Sequence, residues 1–156
     1  MGQDERGTDG LSDAAIRDLL LGTRRIALVG ASARPERASH EVMRFLLDRG
    51  YDVTPVNPFL GGQRLHGRAV VASLAEAAPL DLVDVFRNRT QAGAMVDAAI
   101  RLGARAVWLQ LGVIDPDAAA RARAAGLVVA MDRCPVIEFR RLGLVRPAPL
   151  METAPR

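Results

Sequence analysis

Apolar residues follow two patterns that alternate along the chain. Continuous apolar runs rich in β-branched residues predict buried strands at residues 26–30, 52–58, 81–86, 105–112 and 127–132. Most of the segments between them carry apolar residues at helical spacing and close on a glycine. Because strands and helices alternate with short connections, the pattern predicts a parallel sheet with helices on both faces.

Local signals place the element boundaries. Ser12, Thr90 and Asp115 are predicted to cap the starts of three helices. Pro55 lacks an amide hydrogen, so its strand is expected at a sheet edge or at a bulge. The glycine-rich stretch at residues 60–77 predicts a short strand followed by a helical turn.

The domain organisation that follows is simple. Residues 11–143 are predicted to form a single Rossmann-like α/β domain with an open, mostly parallel sheet of five to six strands. Residues 1–10 are polar and are predicted to be disordered. Residues 144–156 are rich in proline and are predicted to form a loose tail.

The basic residues exclude several kinds of chemistry. All 21 of them are arginine, so no lysine can serve as a Schiff base, a pyridoxal phosphate anchor or a phosphate-loop residue. The net charge is only +3, with 18 acidic residues interspersed and one tyrosine and one tryptophan for stacking. This composition predicts a solvated arginine surface and no nucleic-acid partner.

The cysteine and histidine content limits the cellular compartment and the metal chemistry that can be expected. Cys134 is the only cysteine, so no internal disulfide can form and a reducing cytoplasm is expected. No apolar run approaches the roughly 20 residues of a membrane span, and the polar N-terminus does not look like a targeting peptide. His40 and His66 are far apart, with no cysteine or acid at ligand spacing, so no metal site is predicted.

Ligands of open parallel sheets bind beyond the carboxyl ends of the strands. The residues that follow the five predicted strands are small, polar or cationic and include few acids. They are residues 30–37, 57–62, 87–90, 110–115 and 132–136. This set favours an anionic ligand over a metal or a cationic ligand.

The turn after the first strand has the features of a phosphate site. Its small residues permit close backbone approach, the next helix offers free amides, and two arginines add charge. The residues concerned are Gly30, Ala31, Ser32, Arg34, Arg37, Ser39 and His40. The alternative is a purely structural turn whose arginines are solvated.

The second strand argues against NAD. It ends with Val56, Asn57 and Pro58, where an NAD site needs an acid for the ribose hydroxyls. NADP stays open in principle, with Arg64 as a partner for the 2′-phosphate.

Five segments carry a family resemblance. "IALVGASARPER", "GYDVTPVNP", "VDVFR", "VWLQLGV" and "MDRCP" together resemble the small stand-alone coenzyme A (CoA)-binding proteins, over about residues 23–142. Their fold is similar to the CoA-binding domain of the succinyl-CoA synthetase α subunit. The resemblance implies a Rossmann-like fold that binds CoA across the strand ends.

The resemblance also implies which residues lie near each part of CoA. It implies that the phosphates lie near Gly30, Ala31, Ser32 and Arg37. It implies further that Val56, Asn57 and Pro58 border the adenosine end, with Phe86 and Arg87 alongside. Gln110 and Cys134, after the last two strands, complete the predicted cofactor-binding set.

Cys134 allows a second interpretation. Its thiol could form a mixed disulfide with CoA, and Arg133 beside it could favour the thiolate. The alternative is a small half-buried side chain without chemistry.

The leading hypothesis is a CoA-binding module that holds CoA or an acyl-CoA for storage, sensing or thiol protection. No catalytic residue is assigned: Ser32 lacks a nucleophile elbow, and Asp84 is expected to pair with an arginine. One alternative is an NAD(P)-binding Rossmann oxidoreductase or redox sensor. Another is a CoA-dependent ligase or transferase fragment that needs a partner subunit, although nothing matches the synthetase phosphohistidine segment. Homo-oligomerisation is left open.

Overall fold

A computed structural model describes residues 7–146, and strands and helices alternate along them as the apolar pattern predicts. The strands are β1 (Arg25–Val29), β2 (Asp52–Val56), β3 (Arg64–Leu65), β4 (Arg68–Ala69), β5 (Leu82–Val85), β6 (Ala106–Leu109) and β7 (Val128–Met131). The α-helices are α1 (Asp13–Gly22), α2 (Ala38–Asp48), α3 (Arg89–Arg101), α4 (Pro116–Ala124) and α5 (Pro135–Arg141). Two 3₁₀ helices span Gly7–Asp9 and Leu74–Ala77.

The five long strands form one parallel sheet in the order β2-β1-β5-β6-β7. This confirms the predicted α/β fold class. The edge position of β2 accommodates Pro55, as expected. From β1 the chain moves outward to β2 and then returns past β1 to β5, so the strand order reverses between β1 and β5. Such a switch point opens a crevice at the carboxyl edge of the sheet.

The sheet separates two apolar cores. On one face, α1, α2 and α5 cover Trp108 and its neighbours, and the Trp108 indole donates a hydrogen bond to the Arg133 carbonyl at 2.8 Å. On the other face, α3 and α4 pack small residues such as Ala99 and Ala119 against the strands. No helix within residues 7–146 has the length and apolar character that crossing a membrane requires.

The N-terminal segment differs from its prediction. Residues 7–10 were expected to be disordered, but Gly7–Asp9 forms a 3₁₀ helix and Asp9 is buried. The Asp9 carboxylate accepts bonds from the Arg133 guanidinium at 2.6 and 2.8 Å and from the Met131 amide at 2.9 Å. Composition could not reveal this contact because its partners lie more than 120 residues away. Residues 1–6 lie outside the described part of the chain.

The start of the predicted loose tail is also held in place. Arg146 donates to the carbonyls of Thr23 and Arg49 at 2.9 and 2.8 Å, and its guanidinium lies 3.8 Å from the Tyr51 ring centre. These contacts place residues 144–146 against the domain. The remainder of the predicted tail, residues 147–156, is outside the described residues.

Two of the three predicted helix caps are confirmed. Ser12 and Asp115 accept bonds from amides three residues ahead, each at 3.1 Å. The prediction of Thr90 is wrong, since α3 is capped by Asn88, which accepts from the Gln91 amide at 3.1 Å. Asn and Thr both suit a cap, so the sequence "NRT" allowed either start.

Asp84 has a different environment from the predicted one. It was expected to pair with an arginine, but it lies in the central strand β5 between Leu28 and Trp108. Its carboxylate is fully buried and has no hydrogen-bond partner within residues 7–146. This burial raises the pKa of Asp84 well above its ordinary value, so the folded protein holds a neutral acid there.

A pH-dependent loss of stability follows. Between the unfolded pKa near 3.8 and the raised folded pKa, only the folded state keeps the Asp84 proton. The stability of the native protein therefore falls across this window as pH rises, with a slope of at most about 1.4 kcal/mol per pH unit from this group. Asp84→Asn should remove that slope, so its stability advantage over the native protein should increase as pH rises above about 4. Urea unfolding of both proteins at several pH values measures this, and parallel pH curves would contradict it.

Candidate anion-binding site

A cavity of about 690 Å³ lies at the switch point, between the carboxyl ends of β1 and β5. Nine predicted residues line it: Gly30, Ala31, Ser32, Arg34, Arg37, Ser39, Asn57, Phe86 and Arg87. Six further residues line it that the sequence did not single out: Ala33, Ala38, Phe59, Leu60, Asn88 and Gln91. All of these lie within or next to the segments that follow the first three strands of the sheet. We call this space the cationic cavity.

Gly30 sets the shape of the floor. Its φ is +89°, and a Cβ at this position would lie 2.3 Å from the Phe86 carbonyl oxygen. The Gly30 amide donates to the Val56 carbonyl at 3.0 Å. Because a side chain is excluded here, the ends of β1, β2 and β5 meet closely beneath the cavity.

The N-terminus of α2 opens onto the cavity. Its N-cap residue, Arg37, has extended backbone and gives no side-chain cap bond. Ala38 and Ser39, in the first turn, line the cavity. The first amides of a helix have no partner within the helix, so this end offers hydrogen-bond donors and a positive dipole to an anion. The start of α3 differs, because Asn88 caps it.

Three arginines add fixed positive charge. Arg34 and Arg37 are exposed, and Arg87 is half-buried. No aspartate or glutamate lines the cavity, and no ion pair of these arginines is found within residues 7–146. Arginine grips phosphate oxygens through two parallel hydrogen bonds, so the cavity suits a phosphorylated ligand.

Side chains hold the surrounding loops. The Asn57 amide group donates to the Ala31 carbonyl at 2.7 Å, and its oxygen accepts from the Phe59 amide at 2.7 Å. Ser32 Oγ accepts from the Arg34 amide at 3.1 Å. Asn57 therefore ties the loop after β2 to the loop after β1, a structural role that the sequence did not reveal.

A second cavity of about 500 Å³ adjoins the first and shares Gly30 and Arg87 with it. Its walls are mostly apolar, with Leu74, Met95 and Leu102 among them. The predicted residues Val56 and Pro58 lie here, outside the cationic cavity. Arg101 also lines it. We call this space the apolar cavity.

Three predicted residues lie outside both cavities. The His40 ring packs on the His66 ring, with centroids 4.1 Å apart. Gln110 is buried, and its side-chain oxygen has no hydrogen-bond partner within residues 7–146. Cys134 is 9 % exposed and packs in the core beneath α1, α2 and α5. The guanidinium of Arg133, predicted to favour the Cys134 thiolate, binds Asp9 and Glu138 instead.

No cluster of three or more potential metal ligands of the His, Cys, Asp and Glu types occurs within residues 7–146. The donors at the site are backbone amides and guanidinium groups, which bind anions. The arrangement can hold a charged group, and no side chain in it is placed as a nucleophile with a neighbouring base.

The fold and this cavity define a class: Rossmann-like α/β proteins with an arginine-lined cavity at the switch point of a parallel sheet. Within that class the chain belongs to the family described as the CoA binding domain, whose model matches residues 24–140. A curated relative is the uncharacterized protein YneT of Bacillus subtilis. It is 36% identical over 124 residues, which cover 79% of this chain and 90% of YneT.

Solved structures agree with the fold. A hypothetical protein from Pyrococcus horikoshii superposes with a TM-score of 0.84 at 38% identity, covering 92% of this chain and 100% of that one. A dinucleotide-forming acetyl-coenzyme A synthetase from Ca. Korarchaeum cryptofilum gives a TM-score of 0.65 at 20% identity. The match covers 74% of this chain and 27% of the synthetase. Because the identity is low, this match supports the fold alone.

Proposed function

We propose that the protein binds coenzyme A at the joined cavities and acts as a binding or sensing module without catalysis of its own. The observation that carries this proposal is an acid-free cavity with three arginines and an open helix N-terminus, in a chain of the CoA binding domain family. CoA combines several phosphate charges with long uncharged parts. A ligand of that kind matches a cationic cavity joined to an apolar one.

The phosphates belong in the cationic cavity. Arg34, Arg37 and Arg87 supply charge, and the first turn of α2 supplies amides. Arginine keeps its charge at every physiological pH, so the positive charge of these three side chains does not change with pH.

An uncharged part of the ligand belongs in the apolar cavity. Leu74, Met95 and Leu102 can cover it and exclude water, while Arg87 stands between the two cavities. CoA and acyl-CoA are both candidate ligands under this proposal. Storage, sensing and thiol protection are the roles that fit a site without a placed nucleophile.

Calorimetry with CoA, dephospho-CoA and NAD tests the ligand. We expect CoA to bind more tightly than dephospho-CoA, which lacks one phosphate, and NAD to bind far more weakly. NAD needs an acid at the end of β2, where this chain has Val56, Asn57 and Pro58. Equal binding of NAD and CoA would contradict the proposal.

The same titration tests the arginines. Arg37→Ala should weaken CoA binding about tenfold and reduce its dependence on salt, because one charge-assisted contact is lost. Arg17→Ala is the matched control, since Arg17 is an exposed arginine on α1 away from both cavities. An unchanged affinity in Arg37→Ala would remove Arg37 from the site.

A further inference from the structure

One stretch of chain forms a wall of both cavities. We call residues 57–75 the wall segment. Phe59 and Leu60 line the cationic cavity, and Leu74 and Ala75 line the apolar cavity. Between these pairs the chain folds into the β3–β4 hairpin. The hairpin lines neither cavity itself, but it connects the two pairs of residues that do.

The hairpin is held from two sides. Towards the sheet, the Arg68 side chain donates to the Val53 carbonyl at 2.9 Å and pairs with Asp52. Towards α2, the His66 ring contacts His40. His40 is the third residue of α2 and directly follows Ser39, which lines the cationic cavity.

The turn of the hairpin puts the His66 ring in place. His66 and Gly67 are its two central residues, with φ of 48° and 81°. Turns of this kind usually carry Asn-Gly, because asparagine adopts positive φ at little cost. Histidine there is uncommon, and its ring makes a contact that asparagine could not. The rings of His66 and His40 lie 4.1 Å apart, tilted by 50°.

A hydrogen bond between the two histidines determines which ring nitrogen of His66 carries a hydrogen. His66 Nε2 lies 2.9 Å from the His40 carbonyl oxygen. A carbonyl can only accept, so Nε2 must carry the hydrogen. His66 meets this condition both as a neutral ring and as a cation, so this hydrogen bond does not depend on the charge of His66, and only the contact between the two rings is sensitive to charge.

We propose that His66 is a positioning residue for the anion-binding site, and that its contact with His40 makes ligand binding weaken as pH falls. The proposal rests on the proposed function only for the identity of the ligand. When both rings carry charge they repel at this separation, and the hairpin leaves α2. The wall segment then no longer closes the two cavities.

The charges around His40 support this direction. Burial lowers the pKa of His40, and the nearby His66 and Arg44 lower it further, while Glu36 raises it. His40 therefore binds a proton less readily when the contact with His66 is formed than when it is broken. Neutral His40 therefore stabilises the contact fully above the ordinary histidine pKa near 6.5, and this stabilisation is lost as pH falls below that value.

The other charged side chains of the hairpin are held by bonds of their own. The Arg64 guanidinium donates to the Gly67 carbonyl within the turn at 2.9 Å. Arg68 is bound to Asp52 and to the β2 backbone. Imidazole is the side chain whose charge ordinarily changes near neutral pH, and arginine keeps its charge there.

Hydrogen exchange of the ligand-free protein tests the contact directly. The Val70 amide bonds the Gln63 carbonyl at 2.8 Å and reports on the hairpin. After correction for chemical exchange, we expect its protection to fall about fivefold or more from about pH 7.5 to 5.5. In His66→Asn, which preserves the turn, protection should not change with pH. The Ala106 amide in the central sheet serves as the internal reference.

The affinity for CoA provides the second readout. Relative to His66→Asn, the native protein should lose about fivefold or more in affinity over the same pH range. Titration of the CoA phosphates affects both proteins equally and cancels in this comparison. If His40 served instead as a cation for the phosphates, acidification would strengthen binding in both proteins, and the proposal would be wrong.

His40→Gln gives an independent check. Glutamine stays neutral and keeps the backbone carbonyl that His66 binds, so we expect a closed hairpin at both pH values. A native hairpin whose protection does not depend on pH, or a His66→Asn hairpin that responds like the native one, would overturn the inference. Absence of CoA binding in every protein would overturn the proposed function instead, and the exchange experiment would still decide the role of the histidine pair.

Discussion

Replacing Asp9 with alanine is expected to lower the free energy of unfolding by about 3 kcal/mol. The Asp9 carboxylate is fully buried and binds the Arg133 guanidinium at 2.6 and 2.8 Å. Glu138 is the second acid on that guanidinium, at 3.0 Å. Without Asp9, the buried Arg133 guanidinium loses a carboxylate that it binds through two nitrogen atoms, and the Met131 amide loses the oxygen to which it donates. A buried ion pair with one partner removed costs far more than the intact pair contributes.

Asp97→Ala is the matched control for this prediction. Asp97 also binds an arginine, Arg121, at 2.9 Å, but both side chains are more than 40% exposed. Exposed pairs contribute about 0–1 kcal/mol, so this variant should unfold at nearly the native denaturant concentration. Equal losses in Asp9→Ala and Asp97→Ala, measured by urea unfolding, would mean that the burial of the Asp9 pair has no special role.

The same group contributes to acid sensitivity. Burial acts to raise the pKa of Asp9, but the bonds from Arg133, Leu11 and Met131 outweigh it, and the pKa is lowered from 3.8. The stabilisation from Asp9 is therefore complete above about pH 4 and is lost as pH falls through the lowered folded value. Asp84 acts in the opposite direction, since it destabilises the folded state as pH rises.

The fold could be predicted from the sequence because its signals are local. A parallel strand buried on both faces must be apolar along its whole length, as residues 26–30 are. Gly50 and Gly103 have positive φ and follow the ends of α2 and α3, as glycine commonly does after a helix. The choice between Asn88 and Thr90 as a cap could not be made, because both residues suit the position and only packing decides.

The floor and cations of the candidate site were also predictable, for a topological reason. The carboxyl ends of parallel strands meet at one edge, so Gly30, Asn57 and Arg87 had to lie near one another. The positions of His40 and Cys134 were not predictable in this way. Each follows a strand or opens a helix, but its side chain points to a neighbouring element that only the tertiary structure brings close.

Contacts between residues that are far apart in the sequence account for most of the features that could not be predicted. Asp9 with Arg133 and His40 with His66 join segments that carry no shared local pattern. A single polar residue in a polar segment gives no sign that it will be buried. The prediction of disorder at residues 7–10 failed for this reason.

Gly30→Ala is the second change for which we expect a large effect, again about 3 kcal/mol. Two costs add at this position. The φ of +89° strains a residue with a Cβ by about 1–2 kcal/mol, and the new Cβ would lie 2.3 Å from the Phe86 carbonyl oxygen. The new Cβ clashes with the backbone carbonyl of Phe86, which directly follows β5, so relief requires the ends of β1 and β5 to move apart at the floor of the cationic cavity. CoA affinity should fall together with stability for this reason.

Gly126→Ala separates the two costs. Gly126 has a similar φ of +93°, but a Cβ there would meet no atom within 4 Å. It should therefore lose only the conformational part, about 1–2 kcal/mol, and leave the affinity for CoA unchanged. The difference between the two variants in urea unfolding measures the clash with Phe86. If both variants lose the same stability and both keep their CoA affinity, the strand ends adjust without cost, and the close approach at Gly30 does not shape the site.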